Sequence, residues 1–257
     1  TWETDSNAVL HILESIRRFS PHCRFYNAGS SEEFGDVITT PQNEEHPLRP
    51  QSPYGAAKCA ARHIVRVYAE SYGLYAVQGW LFNHEGTRRG LDFVTRKISH
   101  SVAKIKLAIE NNQTPPILKL GNLGAERDWS DAEDFMNGVW LMLNQDRPKP
   151  YVLASGEMHS IRDFLEETLR CAGINFYSMG SYSEEKYVDL DAGYTIVEID
   201  PKFYRPAEVH ELCGDPSLAE KELGWENKLK ILYFNSCKLL CKLLILCILY
   251  DYFRVNI

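Results

Sequence analysis

Strand-like and helix-like segments alternate along most of this chain, and this alternation constrains its fold more than any other feature. Short apolar strand patterns occur at 23–29, 75–83, 117–120 and 151–155. Helical patterns fall between and after them, at 52–73, 92–110, 131–143 and 159–173. Strands that alternate with helices predict βαβ units and a parallel sheet.

Cap residues fix the limits of two of these helices. Ser52 suits the N-cap of the helix at 52–73, Pro53 suits its first turn and Gly73 suits its end. Ser160 and Gly173 bound the helix at 159–173 in the same way. The helix at 92–110 is expected to bury an apolar stripe made of Phe93, Ile98, Val102, Ile105 and Ile109.

Other segments give weaker signals. Residues 178–195 are polar and rich in Gly, Ser and Tyr, which predicts a surface loop. The chain opens inside a helical pattern around Val9 and Leu13, so we expect a segment upstream. The tail at 229–257 is rich in Leu, Cys and Lys, and it fits either an aberrant terminus or a buried or interfacial helix. Its apolar run is shorter than the ~20 residues that a membrane span needs.

Composition excludes several classes of protein. The chain has 257 residues, of which 44% are hydrophobic and 25% charged, and these fractions are typical of a soluble globular protein. A net charge of −7 argues against sequence-independent nucleic-acid binding. The 7 cysteines show no metal-ligand spacing, so we expect no metal site and reduced thiols in the cytoplasm. No signal peptide pattern stands at the start.

The stretch SPYGAAK places Tyr54 and Lys58 one helical turn apart on a single helix face. A nearby ammonium stabilises a phenolate, so this pair can act as a base on an alcohol or sugar hydroxyl. A second Tyr-x-x-x-Lys spacing, Tyr182 to Lys186, lies in the polar region and is interpreted as coincidence. Spacing alone also fits an ordinary packed tyrosine with a solvated lysine.

The stretch NAGSSEEFG supplies the partners that favour the catalytic interpretation. It follows the strand at 23–29, and ligands of parallel sheets bind beyond the carboxyl ends of strands. Ser30 can hydrogen-bond the hydroxyl that Tyr54 deprotonates. Glu32 can move a proton on a neighbouring carbon or on a leaving hydroxyl. A strand end with Ser-x-Glu, followed by Tyr-x-x-x-Lys at a helix start, is much rarer than either motif alone.

Together these motifs resemble the GDP-mannose 4,6-dehydratase family of the extended short-chain dehydrogenase/reductase superfamily. The resemblance covers residues 1–226 and includes LFNHEGTRRG, FVTRKIS, LGNLGAERDWSDAEDFMNGVWLML and YRPAEVHELCGDPSLAEKELGW. It implies a partial Rossmann-like, doubly wound parallel sheet plus a smaller C-terminal α/β substrate-binding region. The implied divisions are 1–90 for the remaining part of the NADP-binding Rossmann domain with the catalytic residues, 91–228 mostly for the nucleotide-sugar-binding region with some segments returning to the Rossmann domain, and 229–257 for the tail.

The resemblance also implies a reaction and a set of site residues. The reaction converts GDP-mannose to GDP-4-keto-6-deoxymannose, with NADP as cofactor, as a step toward GDP-fucose. Ser30, which stands where the family usually has Thr, would act with Glu32, Tyr54 and Lys58 in catalysis. The residues implied to contact NADP are Tyr54, Lys58, His84 and Arg89. The residues implied to hold GDP-mannose are Asn83, Val94, Lys97, Arg127, Arg205 and Glu208. A cytoplasmic homo-oligomer, either a dimer or a tetramer, is expected.

One difference from the family pattern leaves alternative functions open. The family opens with a Gly-rich turn that cradles the cofactor pyrophosphate, whereas the first glycine here is Gly29. We therefore expect the first strands and the adenosine pocket to be absent from this chain. A truncated, inactive homologue that keeps GDP-sugar binding is one alternative. Another nucleotide-sugar dehydratase or an epimerase is a second, although Ser-x-Glu favours dehydration.

Overall fold

The structure, a computed structural model, describes residues 1–204 and 212–228, and these residues form two compact units. Unit 1 contains Thr1–His84, Arg127–Met158 and residues 212–228. Unit 2 contains Glu85–Glu126 and residues 159–204. The predictions for Arg205, for Glu208 and for the tail at 229–257 lie outside the described residues.

The elements alternate as the sequence predicts. The helices are α1 (Ala8–Phe19), α2 (Pro53–Tyr72), α3 (Val94–Glu110), α4 (Ala132–Leu143), α5 (Ile161–Cys171) and α6 (Ser217–Leu223). The strands are β1 (Phe25–Asn27), β2 (Ala76–Gln78), β3 (Trp80–Leu81), β4 (Asn83–Glu85), β5 (Leu118–Leu120), β6 (Glu126–Asp131), β7 (Val152–Leu153), β8 (Met158–Ser160), β9 (Phe176–Met179), β10 (Lys186–Asp189) and β11 (Thr195–Ile199). A π-helical turn over Glu3–Asn7 leads into α1. Among the described residues, no helix combines the length and the apolar character that crossing a membrane requires.

The caps of α2 confirm the sequence prediction. The Ser52 side chain accepts a hydrogen bond from the backbone N–H of Gly55, at 3.0 Å. Pro53 occupies the first turn, where a missing N–H costs nothing. Gly73 ends the helix in the left-handed region, with φ at 68°, a conformation that favours glycine. These signals fix the position of Tyr54 and Lys58 at the start of the helix.

Two pairs of strands in unit 1 are parallel, as predicted. β1 pairs with β2, with Tyr26 opposite Val77. β3 pairs with β7, with Trp80 opposite Val152. The strand predicted at 75–83 is divided at Gly79 into β2 and β3. Buried aromatic and aliphatic side chains fill the core beneath these strands, among them Phe34, Trp80, Phe82, Phe135, Leu153 and Trp225.

Unit 2 contains a four-stranded sheet in the order β5–β11–β10–β9. β11 is parallel to β5, whereas β10 is antiparallel to both of its neighbours. The prediction of a surface loop over 178–195 is therefore wrong, because Lys186–Asp189 forms a central strand in which Tyr187 is fully buried. Hydrogen bonds to two neighbouring strands, together with burial of Tyr187 and Val188, outweigh the polar composition around them.

The apolar stripe of α3 is confirmed at its centre. Ile98, Val102 and Ile105 are fully buried. Phe93 does not belong to this stripe, because it stands before the helix as its N-cap and 48% of its surface is exposed. Its ring instead lies under the guanidinium of Arg89, with the carbon of that group 3.5 Å from the ring centroid. A cation on an aromatic face explains the exposed position.

Candidate active site

The segment after β1 forms a tight turn around Ser30. Ser30 has an extended backbone, and its Oγ accepts a hydrogen bond from the backbone N–H of Glu32 at 3.3 Å. Its own N–H donates to Oε1 of Glu33 at 2.9 Å. This reciprocal pattern is a capping box, and it fixes the short 3₁₀ turn Ser31–Glu33. The Ser30 hydroxyl and the half-buried Glu32 thus stand just beyond the carboxyl end of a parallel strand.

The first turn of α2 presents the phenol and the ammonium together. Tyr54 is 40% exposed. The Lys58 Nζ lies 5.5 Å from the centroid of the Tyr54 ring. It also forms an ion pair with Asp5, at 3.1 Å. An ammonium has three N–H donors, so a contact with Asp5 leaves donors for a ligand hydroxyl.

The two segments meet directly. A Cβ added at Gly55 would lie 2.5 Å from the backbone oxygen of Glu32, closer than any real Cβ contact. The residue next to Tyr54 therefore has to be glycine so that α2 can approach the turn. The structure brings the Ser30–Glu32 turn and the Tyr54–Lys58 helix into contact within unit 1.

Glu33, which the sequence analysis passed over, is the buried member of the two adjacent glutamates. Its side chain has no exposed surface, and its Oε2 lies 2.5 Å from Nε of Arg62. The spacing Ser-x-x-Glu from Ser30 is the capping-box pattern, and this signal distinguishes Glu33 from Glu32 in the sequence. The position of Arg62, far away along the chain, has no comparable local signal.

Three further residues predicted for the site lie in unit 1. His84 places its Nδ1 2.8 Å from the carbonyl oxygen of Phe82, and its ring stacks on Phe135 with 4.9 Å between centroids. Asn83 and Arg127 are half-buried. Arg127 stands in β6 beside Asp128, whose carboxylate is buried and accepts hydrogen bonds from Ser155, Gly156 and Gly214.

The other described residues of the predicted site lie in unit 2. The Nε of Arg89 is 3.2 Å from Oε2 of Glu85, and burial raises the pKa of that carboxyl while Arg89 opposes the shift. Lys97 donates a hydrogen bond from Nζ to the carbonyl oxygen of Lys119 at 2.6 Å. Burial lowers the pKa of Lys97. Val94, the first residue of α3, is half-buried.

Comparison with known proteins identifies the family. The family model for GDP-mannose 4,6 dehydratase matches residues 1–233. The chain belongs to the GDP-mannose 4,6-dehydratase family. A GDP-mannose 4,6 dehydratase of Drosophila melanogaster is 43% identical over 230 residues, which are 89% of this chain and 57% of the relative. The human protein of the same name is 42% identical over 228 residues, covering 88% of this chain and 60% of that protein.

The chain thus spans about three fifths of the length of these curated GDP-mannose 4,6-dehydratases.

Solved structures show the same Rossmann-like α/β fold. RMD from Pseudomonas aeruginosa, complexed with NADPH, has a TM-score of 0.79 at 19% identity and covers 97% of this chain and 75% of that one. DesIV from Streptomyces venezuelae, a dTDP-glucose 4,6-dehydratase with NAD and TYD bound, has a TM-score of 0.70 at 19% identity and covers 99% of this chain and 68% of its own.

Proposed function

We propose that this chain carries the catalytic residues of a GDP-mannose 4,6-dehydratase, which forms GDP-4-keto-6-deoxymannose. The contact between the Ser30–Glu32 turn and the first turn of α2 supports this proposal, because the two segments that bear the hydroxyl, the carboxylate, the phenol and the ammonium meet at Glu32 and Gly55. The shared family membership supports the choice of substrate.

Each of the four residues has a distinct task. Tyr54 removes the proton from the C4 hydroxyl of the mannose ring, and Ser30 holds that hydroxyl by a hydrogen bond. Lys58 stabilises the phenolate through its positive charge. Glu32 takes the proton from C5 and delivers a proton to the C6 hydroxyl, which leaves as water. The carboxylate thereby performs both halves of the elimination, and it then returns to C5 a proton taken up from water, so that the product carries hydrogen at C5.

NADP is the proposed cofactor, and when bound it supplies the acceptor and donor of hydride for C4 and C6. The donors on α2 fit this group, because the hydroxyl of the exposed residue Tyr54 and the Lys58 ammonium beside it suit the hydroxyls of a nicotinamide ribose. His84 and Arg89 are the further residues proposed to contact it. Structural neighbours in complex with NADPH or NAD support a nicotinamide cofactor.

Asn83, Val94, Lys97, Arg127, Arg205 and Glu208 are proposed to hold the GDP portion. The two arginines offer planar guanidinium groups, which bind phosphate oxygens in pairs. Lys97 contributes a compact positive charge, and Glu208 an acceptor for sugar hydroxyls. Location in the cytoplasm and assembly into a homo-oligomer stay predictions.

Incubation of the full chain with GDP-mannose and NADP⁺, followed by mass spectrometry, tests the proposal. The product is expected to be lighter than the substrate by one water. Tyr54→Phe should abolish this product, whereas Tyr182→Phe is a matched control in the second Tyr-x-x-x-Lys spacing and should leave it unchanged. Tyr182 is 87% exposed. Product formation by Tyr54→Phe, or turnover of dTDP-glucose in place of GDP-mannose, would contradict the assignment.

A further inference from the structure

We propose that Glu33 and Arg62 form a buried ion pair that positions Ser30 and Lys58 for catalysis. This inference rests on the proposed function, because it assigns a role relative to those two residues. Neither Glu33 nor Arg62 is placed in contact with substrate. Both act through the backbone of the segments that carry the catalytic side chains.

Glu33 is the centre of the arrangement. Its Oε1 accepts hydrogen bonds from the backbone N–H of Ser30 at 2.9 Å, from Nε2 of Gln78 at 3.1 Å and from Nη2 of Arg62 at 3.2 Å. Its Oε2 accepts from Nε of Arg62 at 2.5 Å. A carboxylate has two acceptor oxygens, whereas an amide has only one. Glutamine at this position would therefore place its NH2 group against at least one of the N–H groups that now donate to Glu33.

The planar guanidinium group of Arg62 donates hydrogen bonds to backbone carbonyl oxygens as well as to Glu33. In addition to Glu33, it donates to the carbonyl oxygens of Gln78 at 2.6 Å and of Gly79 at 3.1 Å. Its guanidinium carbon lies 3.5 Å from the centroid of the Trp80 ring. Arg62 is 8% exposed, so a single residue of α2 is fixed to the end of β2 and the start of β3.

Gln78 extends the connection to Lys58. Its Nε2 also donates to the carbonyl oxygen of Lys58 at 3.1 Å, and its Oε1 accepts from Nδ2 of Asn27 at 2.6 Å. The ion pair and Gln78 together thus join the end of β1, the Ser30 turn, α2 and β2. By holding these four segments in one geometry, this network sets the relative position of the Ser30 hydroxyl and the Lys58 ammonium.

The burial of both charges favours a role for the pair in positioning neighbouring groups over a role in stabilising the fold. A buried ion pair can often be replaced by apolar residues of similar volume with no loss of stability, because burial of the charges offsets their attraction. An apolar pair would fill the same space and would leave the Ser30 N–H without its acceptor. A double substitution therefore distinguishes a role in stability from a role in positioning.

Steady-state kinetics of three variants test the proposal. Glu33→Leu leaves the Arg62 charge unpaired and should lower both the melting temperature and kcat. Glu33→Leu with Arg62→Leu should regain melting temperature, yet its kcat should stay about 10- to 100-fold below that of the wild type because the reacting groups are misplaced. KM for GDP-mannose should not change. Glu70→Gln is the control, since Glu70 pairs with Arg66 at 3.1 Å on the exposed face of α2.

Recovery of kcat together with melting temperature in the double variant would show that the pair is only structural. A change in KM without a change in kcat would also overturn the proposal. If the wild-type chain yields no product, the proposed function fails, and amide hydrogen exchange decides the positioning claim. Exchange at Ser30 should accelerate in the double variant but not in Glu70→Gln, and unchanged protection of Ser30 would refute the claim.

Discussion

Replacement of Asp128 by Asn probes a buried carboxylate of unit 1 that accepts four hydrogen bonds. Its Oδ1 accepts from the backbone N–H of Ser155 at 2.8 Å and from the Ser155 hydroxyl at 2.5 Å. Its Oδ2 accepts from the backbone N–H groups of Gly156 and Gly214, each at 3.1 Å. Asp128 is 1% exposed, so water cannot take over these contacts.

The cost follows from the number of donors left without an acceptor. Asparagine offers one oxygen, and its amide nitrogen faces donors wherever the oxygen is placed. If nitrogen replaces Oδ1, the Ser155 hydroxyl can donate to the carbonyl oxygen of Glu157, but the Ser155 N–H is orphaned. If nitrogen replaces Oδ2, two backbone N–H groups are orphaned. The first orientation orphans only one group, so at about 1–3 kcal/mol for each buried unsatisfied group the expected loss of unfolding free energy is about 1–3 kcal/mol.

Urea denaturation followed by tryptophan fluorescence measures this loss. Asp36→Asn is the matched control, because Asp36 pairs with Arg49 at 2.6 Å with about half of each side chain exposed, 50% and 51% respectively. An exposed pair contributes below about 1 kcal/mol. A loss for Asp128→Asn no larger than that of the control would refute the reasoning from orphaned donors.

Three further predictions concern other parts of unit 1. Gly29→Ala should lower the unfolding free energy by about 1–3 kcal/mol, because its Cβ would lie 1.9 Å from the carbonyl oxygen of Gly79; an unchanged urea midpoint would contradict this. The Arg17 and Arg18 side chains hold the pKa of Glu14 down to about 2, from 4.5, so its contribution to stability is present above pH 4.5 and is lost as the pH falls toward 2. The difference in melting temperature between the wild type and Glu14→Gln should therefore disappear as the pH falls from 4.5 toward 2. A difference that stays constant over this range would contradict the lowered pKa of Glu14. Asp5→Asn breaks the ion pair with Lys58 and should lower the unfolding free energy by about 1 kcal/mol, as measured by urea denaturation; no loss would show that the pair is not formed in solution.

Local signals were sufficient for the elements that carry the candidate site. Ser52, Pro53 and Gly73 mark the limits of α2 because cap preferences depend on neighbouring backbone groups only. The parallel pairing of β1 with β2 follows from the helix between them. The turn at Ser30 and the helix at Tyr54 could be connected because both motifs stand at the ends where parallel sheets bind ligands.

Features set by distant contacts could not be predicted in this way. The capping-box spacing from Ser30 distinguishes Glu33 from Glu32, but no local signal predicts that Arg62 of α2 is the buried partner of Glu33. Tyr187 lies in a polar stretch, yet two neighbouring strands bury it. Phe93 fits the spacing of an apolar stripe but stands before the first turn of α3, where Arg89 covers it.

The role of Glu32 gives the most direct test of the central claim, that the turn after β1 and the start of α2 act on a single hexose. Turnover of GDP-mannose in deuterium oxide with NADP⁺ should place one solvent deuterium at C5 of the keto sugar, because the carboxylate exchanges its proton with water. Glu32→Gln should give no dehydrated product. A dehydrated product without deuterium at C5, or one formed by Glu32→Gln, would contradict the account.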